Sequence, residues 1–473
     1  MQHLVKLQTL YEMFMVNICA DFFDIEFKPS IKVLKQHFFI LFLIFSWFYS
    51  TTILAQNTAE SDTLYNVSEV VIEGLKKTKD KHCAKFLNCF GKTGNFHKQM
   101  IKDDIQTLWN MGLFSQVLYT TEQDENGQVK LIFKVQEKFY YLPIIGLDLS
   151  QENVKLTLGA FGYNILGNGT LLSATYQWYD RHSVDVRFAN PYLFNDKWGA
   201  EVQFARWATV EPTQVYQNSL YKRDNDFEVT KWNAGALVYY SPKFRNTIYL
   251  GGNYLKERYL ERLTLAEIED EEITGIDFNI PKFLLKAGWQ LNKVNYFYQY
   301  VDGWYFFTEF ANVLPDESVN QTYFWKWENQ VKYFKRICEK HNLALRGIVG
   351  LSTNEPMPFP AFVQDDYVNL RGVGDRVGRG TAEFSFNSEW RSTIFDWKNA
   401  AIMTNVYLDA STLRPIDGNW RDLFQKNLTH ITTGVGLRLF VSKFYSGVFR
   451  IDYGFDILNP KQHGLVMGLG HYF

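Results

Sequence analysis

The sequence predicts a transmembrane antiparallel β-barrel of about 16 strands, preceded by one small α/β domain. The first observation is compositional: 17% of the 473 residues are aromatic, yet the mean hydropathy is −0.23. The second is a change of period, because helical spacing ends near Pro143 and apolar and polar residues alternate from there to the end. A polar average with few long apolar runs argues against a bundle of membrane helices.

Alternation is clearest in Val184–Phe188 and in Phe449–Asp456, where apolar and charged residues take turns. Charges at every second position would be costly inside a sandwich core, but they suit a barrel with lipid outside and water inside. At roughly 20 residues per strand and turn, the segment 141–473 gives about 16 strands. Two polar stretches, Thr209–Glu228 and Leu265–Asp277, are predicted to be long loops at the outer surface.

The beginning of the chain predicts a secretory leader over residues 1–55. Basic residues precede the apolar run Phe38–Tyr49, which is shorter than the ~20 residues that a spanning helix needs. This pattern is typical of a signal peptide, here cut after Ala55, and the alternative is an uncleaved anchor. Residues upstream of the basic flank resemble no part of a signal, so we expect translation to start near Val33 or Leu34, from an alternative start codon. Residues 56–65 are predicted to be a linker.

Residues 66–138 are predicted to form a small domain of order β-α-α-β-β. The strands are expected to be short and amphipathic, and the second helix has apolar residues at helical spacing. The predicted elements are a strand in Val67–Gly74, helices over Lys79–Phe90 and Phe96–Met111, a strand from Val117 to Thr121, and a strand over Val129–Glu137.

Charge and motif content narrow the function classes. Lys and Arg number 49 against 51 Asp and Glu, a formal charge of −2, so no global field favours nucleic acid. No GxSxG or HExxH pattern occurs, so no enzymatic activity is predicted. No cofactor or metal site is predicted either, because Cys83 and Cys89 lack the spacing of a zinc site with His82 or His97. We expect these cysteines to be packed core thiols.

A glycine-dense loop beginning at Leu370-Arg371-Gly372 is the most site-like feature. In the strands that follow it, Glu389 and Asp409 fall on the phase that points into the lumen. An arginine on a loop and two inward carboxylates can form a charge-assisted pair shielded from water. We therefore predict a latch that ties this loop to the barrel wall.

The last strand is predicted to run from Gly464 to Phe473, with apolar side chains at alternate positions and an aromatic end typical of an insertion signal. Gly464, Gly468 and Gly470 share the inward phase. A strand poor in side chains is loosely held in register, which predicts a weak seam against a first strand around Val154–Tyr163. The alternative is that these glycines only accommodate barrel curvature.

These features together resemble the BamA/TamA superfamily of outer-membrane assembly and translocation barrels, also called the bacterial surface antigen family. Residues 66–138 resemble one POTRA domain, including the segment Leu113–Val117. The Leu370-Arg371-Gly372 segment resembles the loop motif of the family, whose Arg contacts an acidic residue of a following strand. By position that role falls to Asp409, with Glu389 nearby.

The sequence also departs from the family pattern. Val373 stands where the family usually has an aromatic residue, and Ser411 replaces a customary glycine. Only one POTRA domain is predicted, whereas the essential assembly factors of the family carry several.

The resemblance implies a non-enzymatic protein of the bacterial outer membrane with its POTRA-like domain in the periplasm. Its expected partners are outer-membrane lipid, unfolded protein clients bound by β-augmentation, and periplasmic or lipoprotein accessory proteins, but no nucleic acid. Two alternatives stay open at this point: a passive channel or transporter for small solutes, and a dedicated two-partner-type secretion transporter.

Overall fold

A computed structural model describes residues 64–473, with gaps at residues 124–126, 150–153, 180, 196, 219–220, 264–274, 276, 316–322, 355–359, 367, 374–377 and 445–446. The predicted leader over residues 1–55 lies outside the described residues, as does nearly all of the linker. Most of the loop predicted at Leu265–Asp277 also lies outside them.

The N-terminal domain is a four-stranded sheet with two helices. Its elements are β1 (Leu64–Glu73), α1 (Asp80–Ala84), β2 (Gly94–His97), α2 (Lys98–Asn110), β3 (Phe114–Gln123) and β4 (Val129–Glu137). The strand order is β2-β1-β4-β3, and the central strands β1 and β4 are parallel. Strands β2 and β3 are therefore the two edges of this sheet.

Two predictions for this domain were wrong in detail. The first helix ends at Ala84 rather than Phe90, and the strand β2 was not predicted. The carboxylate of Asp104 on α2 accepts hydrogen bonds from the backbone N–H groups of Asn88 (2.7 Å) and Cys89 (2.8 Å). Because these two N–H groups bond to Asp104, they do not need the carbonyl partners that a longer first helix would supply. The chain therefore folds back against α2 before it enters β2.

The core of the domain contains the two cysteines. Cys83 and Cys89 are fully buried among residues such as Phe114, Leu131 and Phe133. Both are free thiols, and burial raises the pKa of each to about 12. A thiol so protonated is a poor nucleophile and metal ligand, so these cysteines serve packing.

The rest of the chain forms one antiparallel sheet of 16 strands, which confirms the predicted transmembrane β-barrel and its strand number. The strands are β5 (Tyr141–Leu149), β6 (Val154–Tyr163), β7 (Leu171–Tyr179), β8 (Arg181–Asn190), β9 (Trp198–Asn218), β10 (Tyr221–Lys243), β11 (Asn246–Glu261), β12 (Asp277–Phe297), β13 (Tyr300–Pro315), β14 (Phe324–Arg336), β15 (His341–Ser352), β18 (Ala382–Trp397), β19 (Ala400–Arg414), β20 (Thr429–Val441), β21 (Val448–Asp456) and β22 (His463–Leu469). In the described part of the chain, no helix is long and apolar enough to cross a membrane.

Side chains alternate between the two faces of the barrel wall as the sequence indicates. In β21, the residues Phe449, Ile451, Tyr453 and Phe455 are between 40 and 48% exposed. Their neighbours Arg450 and Asp452 are at most 7% exposed. The apolar residues therefore face lipid, and the charged residues lie buried inside the barrel.

Two predictions about the barrel were wrong. The stretch Thr209–Glu228 is not a loop, because β9 and β10 extend through it as one long hairpin that turns after Asn218. The first barrel strand is β5 rather than the strand at Val154–Tyr163, which is the second. Alternation is weak in β5, where Ile144 and Ile145 are adjacent, so its sequence does not mark it as an amphipathic strand.

The segment between β15 and β18 folds into the lumen. A small hairpin of β16 (Phe362–Gln364) and β17 (Gly378–Gly380) lies there, and the Gln364 amide donates a hydrogen bond to Ser411 Oγ at 3.1 Å. Since Ser411 lies on the inward face of β19, this hairpin is supported by the barrel wall.

Candidate functional site: the lumenal arginine loop

The loop that carries Arg371 begins with a tight turn. Backbone N–H groups of Val368, Asn369 and Leu370 all donate to the carbonyl oxygen of Asp365 at 3.2 Å. Leu370 and Arg371 are fully buried. The turn therefore directs the Arg371 side chain into the interior of the barrel.

Arg371 and Asp409 form a two-pronged ion pair. The guanidinium donates from Nε to Oδ2 at 2.8 Å and from Nη2 to Oδ1 at 2.9 Å. The backbone N–H of Arg371 adds a third contact to Oδ2 at 3.3 Å. Both side chains are wholly buried. Such bidentate geometry is specific to arginine and is among the stronger hydrogen-bonded pairs.

Glu389 joins the same cluster. It accepts from Arg371 Nη1 on one oxygen and from Arg391 Nε at 2.6 Å on the other. Arg438 contacts Glu389 at 3.3 Å and Asp452 at 2.8 Å, and Arg450 contacts Asp452 at 3.1 Å. The buried charges thus share partners, which offsets the cost of removing each of them from water.

Two tyrosine rings cover the guanidinium of Arg371. The ring centre of Tyr407 lies 3.7 Å from its central carbon, and that of Tyr472 lies 4.1 Å away. Two rings cannot both lie so close on one face, so the planar group is held between them. Cation–π contact in a dry site adds to the ion pair and restricts the arginine to one rotamer.

Gly372 allows the loop to approach the wall closely. Its φ is +85°, and a Cβ added there would lie 2.7 Å from the carbonyl carbon of Gly454 on β21. The residues that depart from the family pattern also have packing roles. Val373 is buried, and its N–H donates to Asp366 at 2.9 Å, while Ser411 accepts from Ser385 at 2.8 Å.

The end of the sequence does not continue the last strand, contrary to the prediction. Strand β22 ends at Leu469, and Gly470 turns the chain with a φ of +83°. Phe473 is buried beside Phe334, and its carbonyl oxygen accepts from Arg391 at 3.2 Å. Gly468 does face inward, towards Arg450, and Gly464 shares its phase.

The sequence predicted Arg371, Glu389 and Asp409, and the structure brings these three together. It did not single out Arg391, Arg438, Arg450, Asp452, Tyr407 or Tyr472, which complete the cluster. The inward phase of Arg450 and Asp452 in an alternating strand was a usable signal. No comparable signal existed for Tyr472, because its position depends on the turn at Gly470.

The N-terminal domain packs against one end of the barrel. Lys79 N–H donates to the Gly167 carbonyl at 2.8 Å, and Asn164 donates to Thr78 Oγ1 at 2.9 Å. On the other side, Asn110 donates to Asn295 at 2.9 Å. A cavity of about 500 Å³ remains between the two parts.

His82 lies at this junction. It is buried beside Phe86, and a Cβ at Gly169 of the barrel would lie 3.3 Å from its Nε2. Burial, aided by Lys85, lowers the pKa of His82 to about 4. For the nearby Glu137, burial alone would raise the pKa, but hydrogen bonds from Thr78 and its neighbours outweigh that and lower it.

Residues 65–138 match the model of the family described as "POTRA: Surface antigen variable number repeat". Among solved structures, CdiB from Acinetobacter baumannii matches with a TM-score of 0.52 and 14% identity, covering 86% of this chain and 74% of that one. CdiB from Escherichia coli matches with a TM-score of 0.50 and 10% identity, covering 88% and 92%. BamA from Haemophilus ducreyi lacking POTRA domains 1–3 has 14% identity over 85% and 83%, but its TM-score of 0.45 is too low to argue from.

No curated protein sequence matches the chain. The resemblance inferred from the sequence is nonetheless confirmed at the level of domain and fold. The family-model match shows a POTRA domain at residues 65–138, and the likeness to the two CdiB structures shows the fold of the barrel that follows it.

Proposed function

We propose that the protein is an outer-membrane barrel that assembles or translocates other proteins, with its POTRA domain in the periplasm. The observation that carries this proposal is the seam of the barrel. The described ladder pairs run from β5 to β22 and include none between these two strands. Unpaired strand edges expose backbone donors and acceptors to which another chain can add.

The POTRA domain offers a second strand edge. In the described residues β3 pairs with β4 alone. Most residues of β3 from Leu118 to Gln123 are exposed, and Leu118 itself is 53% exposed. Its ten residues make it a longer edge than the four of β2. An unfolded client would add to β3 through backbone hydrogen bonds, which tolerate many sequences.

The lumenal loop has a supporting role in this proposal. The ion pair of Arg371 with Asp409 holds the loop against the wall, so buried charged and aromatic side chains occupy the part of the lumen beside β18 to β22. Such packing favours an opening at the seam over steady diffusion of small solutes through the centre. The Arg371 cluster would hold the closed state between cycles.

Site-specific photo-crosslinking in cells tests client binding. A photoreactive residue at Thr120, exposed on β3, should crosslink to one or more unfolded outer-membrane or secreted proteins. The matched control is Gln99, which is exposed on α2 rather than on a strand edge. Equal crosslinking at both positions, or none at Thr120, would overturn binding by β-augmentation. One crosslinked client would indicate a dedicated transporter, and many clients would indicate a general factor.

A further inference from the structure

A basic cavity lies on the outer surface of the barrel, away from the lumen. It has a volume of about 400 Å³ and is lined by Arg181, Arg206, Thr230, Trp232, Lys256, Arg258 and Asn279. Four of these seven residues are cations, and no carboxylate lines the cavity. Cations gathered beside lipid-facing side chains require an explanation beyond barrel stability.

The strand register shows how the cavity is built. Arg206, Trp232 and Lys256 are direct neighbours across β9, β10 and β11. Their phase is the lipid-facing one, because Trp232 is 40% exposed. The guanidinium of Arg206 lies 5.3 Å from the Trp232 ring centre. Thr230 and Arg258 form the next row, farther from the POTRA domain.

The row on the POTRA side is apolar and has a notch. There Phe204, Ala234, Tyr254 and Phe283 are neighbours across β9 to β12. Ala234 is small and sits between aromatic residues, which leaves a groove of about 410 Å³. This groove shares Trp232 and Lys256 with the basic cavity. The two therefore form one continuous amphipathic site.

The height of the site matches a membrane surface. Trp198 and Tyr240 are cross-strand partners near the POTRA end, and their ring centres lie 4.9 Å apart. From Tyr240 to Trp232, eight residues of strand at about 3.4 Å each and a tilt of about 40° span roughly 21 Å. The apolar band of such barrels is ≈ 25 Å tall. The basic row thus lies where lipid headgroups begin, on the side opposite the POTRA domain.

Only part of the positive charge is neutralised within the protein. Arg258 pairs with Asp277 at 2.8 Å, and Arg181 pairs with Glu228. In the part of the chain that the structure describes, Arg206 and Lys256 have no carboxylate partner. They are the two cations nearest the groove, so an anionic group placed between them would have an apolar tail in the notch at Ala234.

We propose that this surface binds a phosphorylated lipid of the leaflet opposite the POTRA domain, with the phosphate between Arg206 and Lys256 and an acyl chain along Ala234. Arginine binds phosphate oxygens in a two-pronged manner, and lysine adds a point charge. The aromatic residues on both sides of the notch supply the apolar contact that a free phosphate could not use. The protein would thereby select the lipid that surrounds one part of its wall, beside β9 to β11.

Native mass spectrometry of the full-length protein in detergent tests this assignment. The probes are dioleoyl phosphatidate, dioleoyl phosphatidylcholine and inorganic phosphate. The wild type should retain phosphatidate with at least tenfold higher affinity than phosphatidylcholine. The double variant R206Q/K256Q should lose at least tenfold in phosphatidate affinity, and Ala234→Leu, which fills the notch, should also weaken it.

The matched control is R262Q/K335Q. It removes the same charge from two exposed cations, which pair with Glu228 and Asp302 and do not line the cavity. This control should change the affinity less than twofold, and all variants should keep the heat-modifiable migration of a folded barrel. Equal phosphatidate binding by wild type and R206Q/K256Q would overturn the site. If inorganic phosphate at the same concentration as phosphatidate displaced all of the bound phosphatidate, the site would bind phosphate and not a lipid.

Discussion

The ring of Tyr472 lies 4.1 Å from the guanidinium carbon of Arg371, and so joins the lumenal loop to the residues that follow the last strand. Arg371 is in turn paired with Asp409 on β19. The guanidinium of Arg371 therefore connects the lumenal loop, strand β19 of the barrel wall and the residues that follow β22. We therefore expect a movement of β22 at the proposed seam to disturb this contact.

The pair of Arg371 and Asp409 should behave as one energetic unit. Arg371→Ala leaves the buried Asp409 carboxylate without its ion-pair partner, and Asp409→Ala leaves the buried guanidinium with only part of its neutralising charge. Each substitution should therefore lower the free energy of unfolding by about 3–5 kcal/mol. The double variant should cost clearly less than the sum. Urea unfolding in detergent micelles measures all four corners of the cycle.

A control for that cycle is available on β8 and β9. Arg187 and Glu201 also form a two-pronged pair, but the Arg187 side chain is 45% exposed. Arg187→Ala should therefore cost no more than about 1 kcal/mol. Additive effects of the Arg371 and Asp409 substitutions would contradict the coupling.

The aromatic cover of Arg371 should depend on the ring of Tyr472 rather than on its hydroxyl. The hydroxyl has no hydrogen-bond partner among the described residues, whereas the ring stacks on the arginine. Tyr472→Phe should thus leave stability within about 0.5 kcal/mol of the wild type. Tyr472→Ala should cost about 3 kcal/mol or more through lost burial and cation–π contact. Similar losses for both variants, in the same unfolding assay, would contradict the stacking role.

Gly372 should tolerate no side chain. Its positive φ and its approach to the Gly454 backbone mean that Gly372→Ala must displace the loop. We expect the barrel of this variant to fold poorly or to lose its heat-modifiable migration in gels. Gly347→Ala is the matched control, because a Cβ there meets nothing within 4 Å. A stable Gly372→Ala barrel would mean that the loop does not dock as described.

Acidification should weaken the contact between the POTRA domain and the barrel through His82. Its pKa falls from 6.5 to about 4 in the folded state, so the folded protein binds fewer protons than the unfolded one. The stability that the neutral His82 side chain contributes to the folded state is fully present above pH 6.5, and it is lost as the pH falls towards 4. Between pH 7 and pH 5 the loss should be about 2 kcal/mol.

Unfolding curves for wild type and His82→Gln at pH 7 and pH 5 measure that contribution. The variant lacks the titrating group, so its stability should change less between the two pH values than that of the wild type. The same pH response in both proteins would show that His82 does not titrate as its buried position requires.

Much of the barrel was predictable because alternation is a local property of the sequence. In Phe449–Asp456 the residue type alone indicates whether a side chain faces lipid or the lumen. The same alternation in β18 and β19 places Glu389 and Asp409 inside the barrel. The β9–β10 hairpin was missed since the polar composition of Thr209–Glu228 is that of a loop, although strands beyond the membrane can be polar on both faces. Strand β2 has only four residues, too few for a periodic pattern.

The Arg371 cluster could be predicted only in part. The loop motif and the inward carboxylates are visible in the sequence, but the neighbours of Arg371 come from several different strands. Tyr472 reaches it only because Gly470 adopts a left-handed conformation and ends the alternation. The lipid-facing cavity likewise depends on cross-strand register, which places Arg206 beside Trp232 and Lys256 from residues far apart in the chain.

Depletion of the protein followed by quantitative proteomics of the outer membrane tests the proposed function most directly. An assembly or translocation barrel should, when depleted, cause the loss of one or more other outer-membrane or surface proteins, and re-expression of the wild type should restore them. Re-expression of Arg371→Ala should restore them less well. An unchanged surface proteome, together with reduced uptake of small solutes, would contradict this account and favour a passive channel.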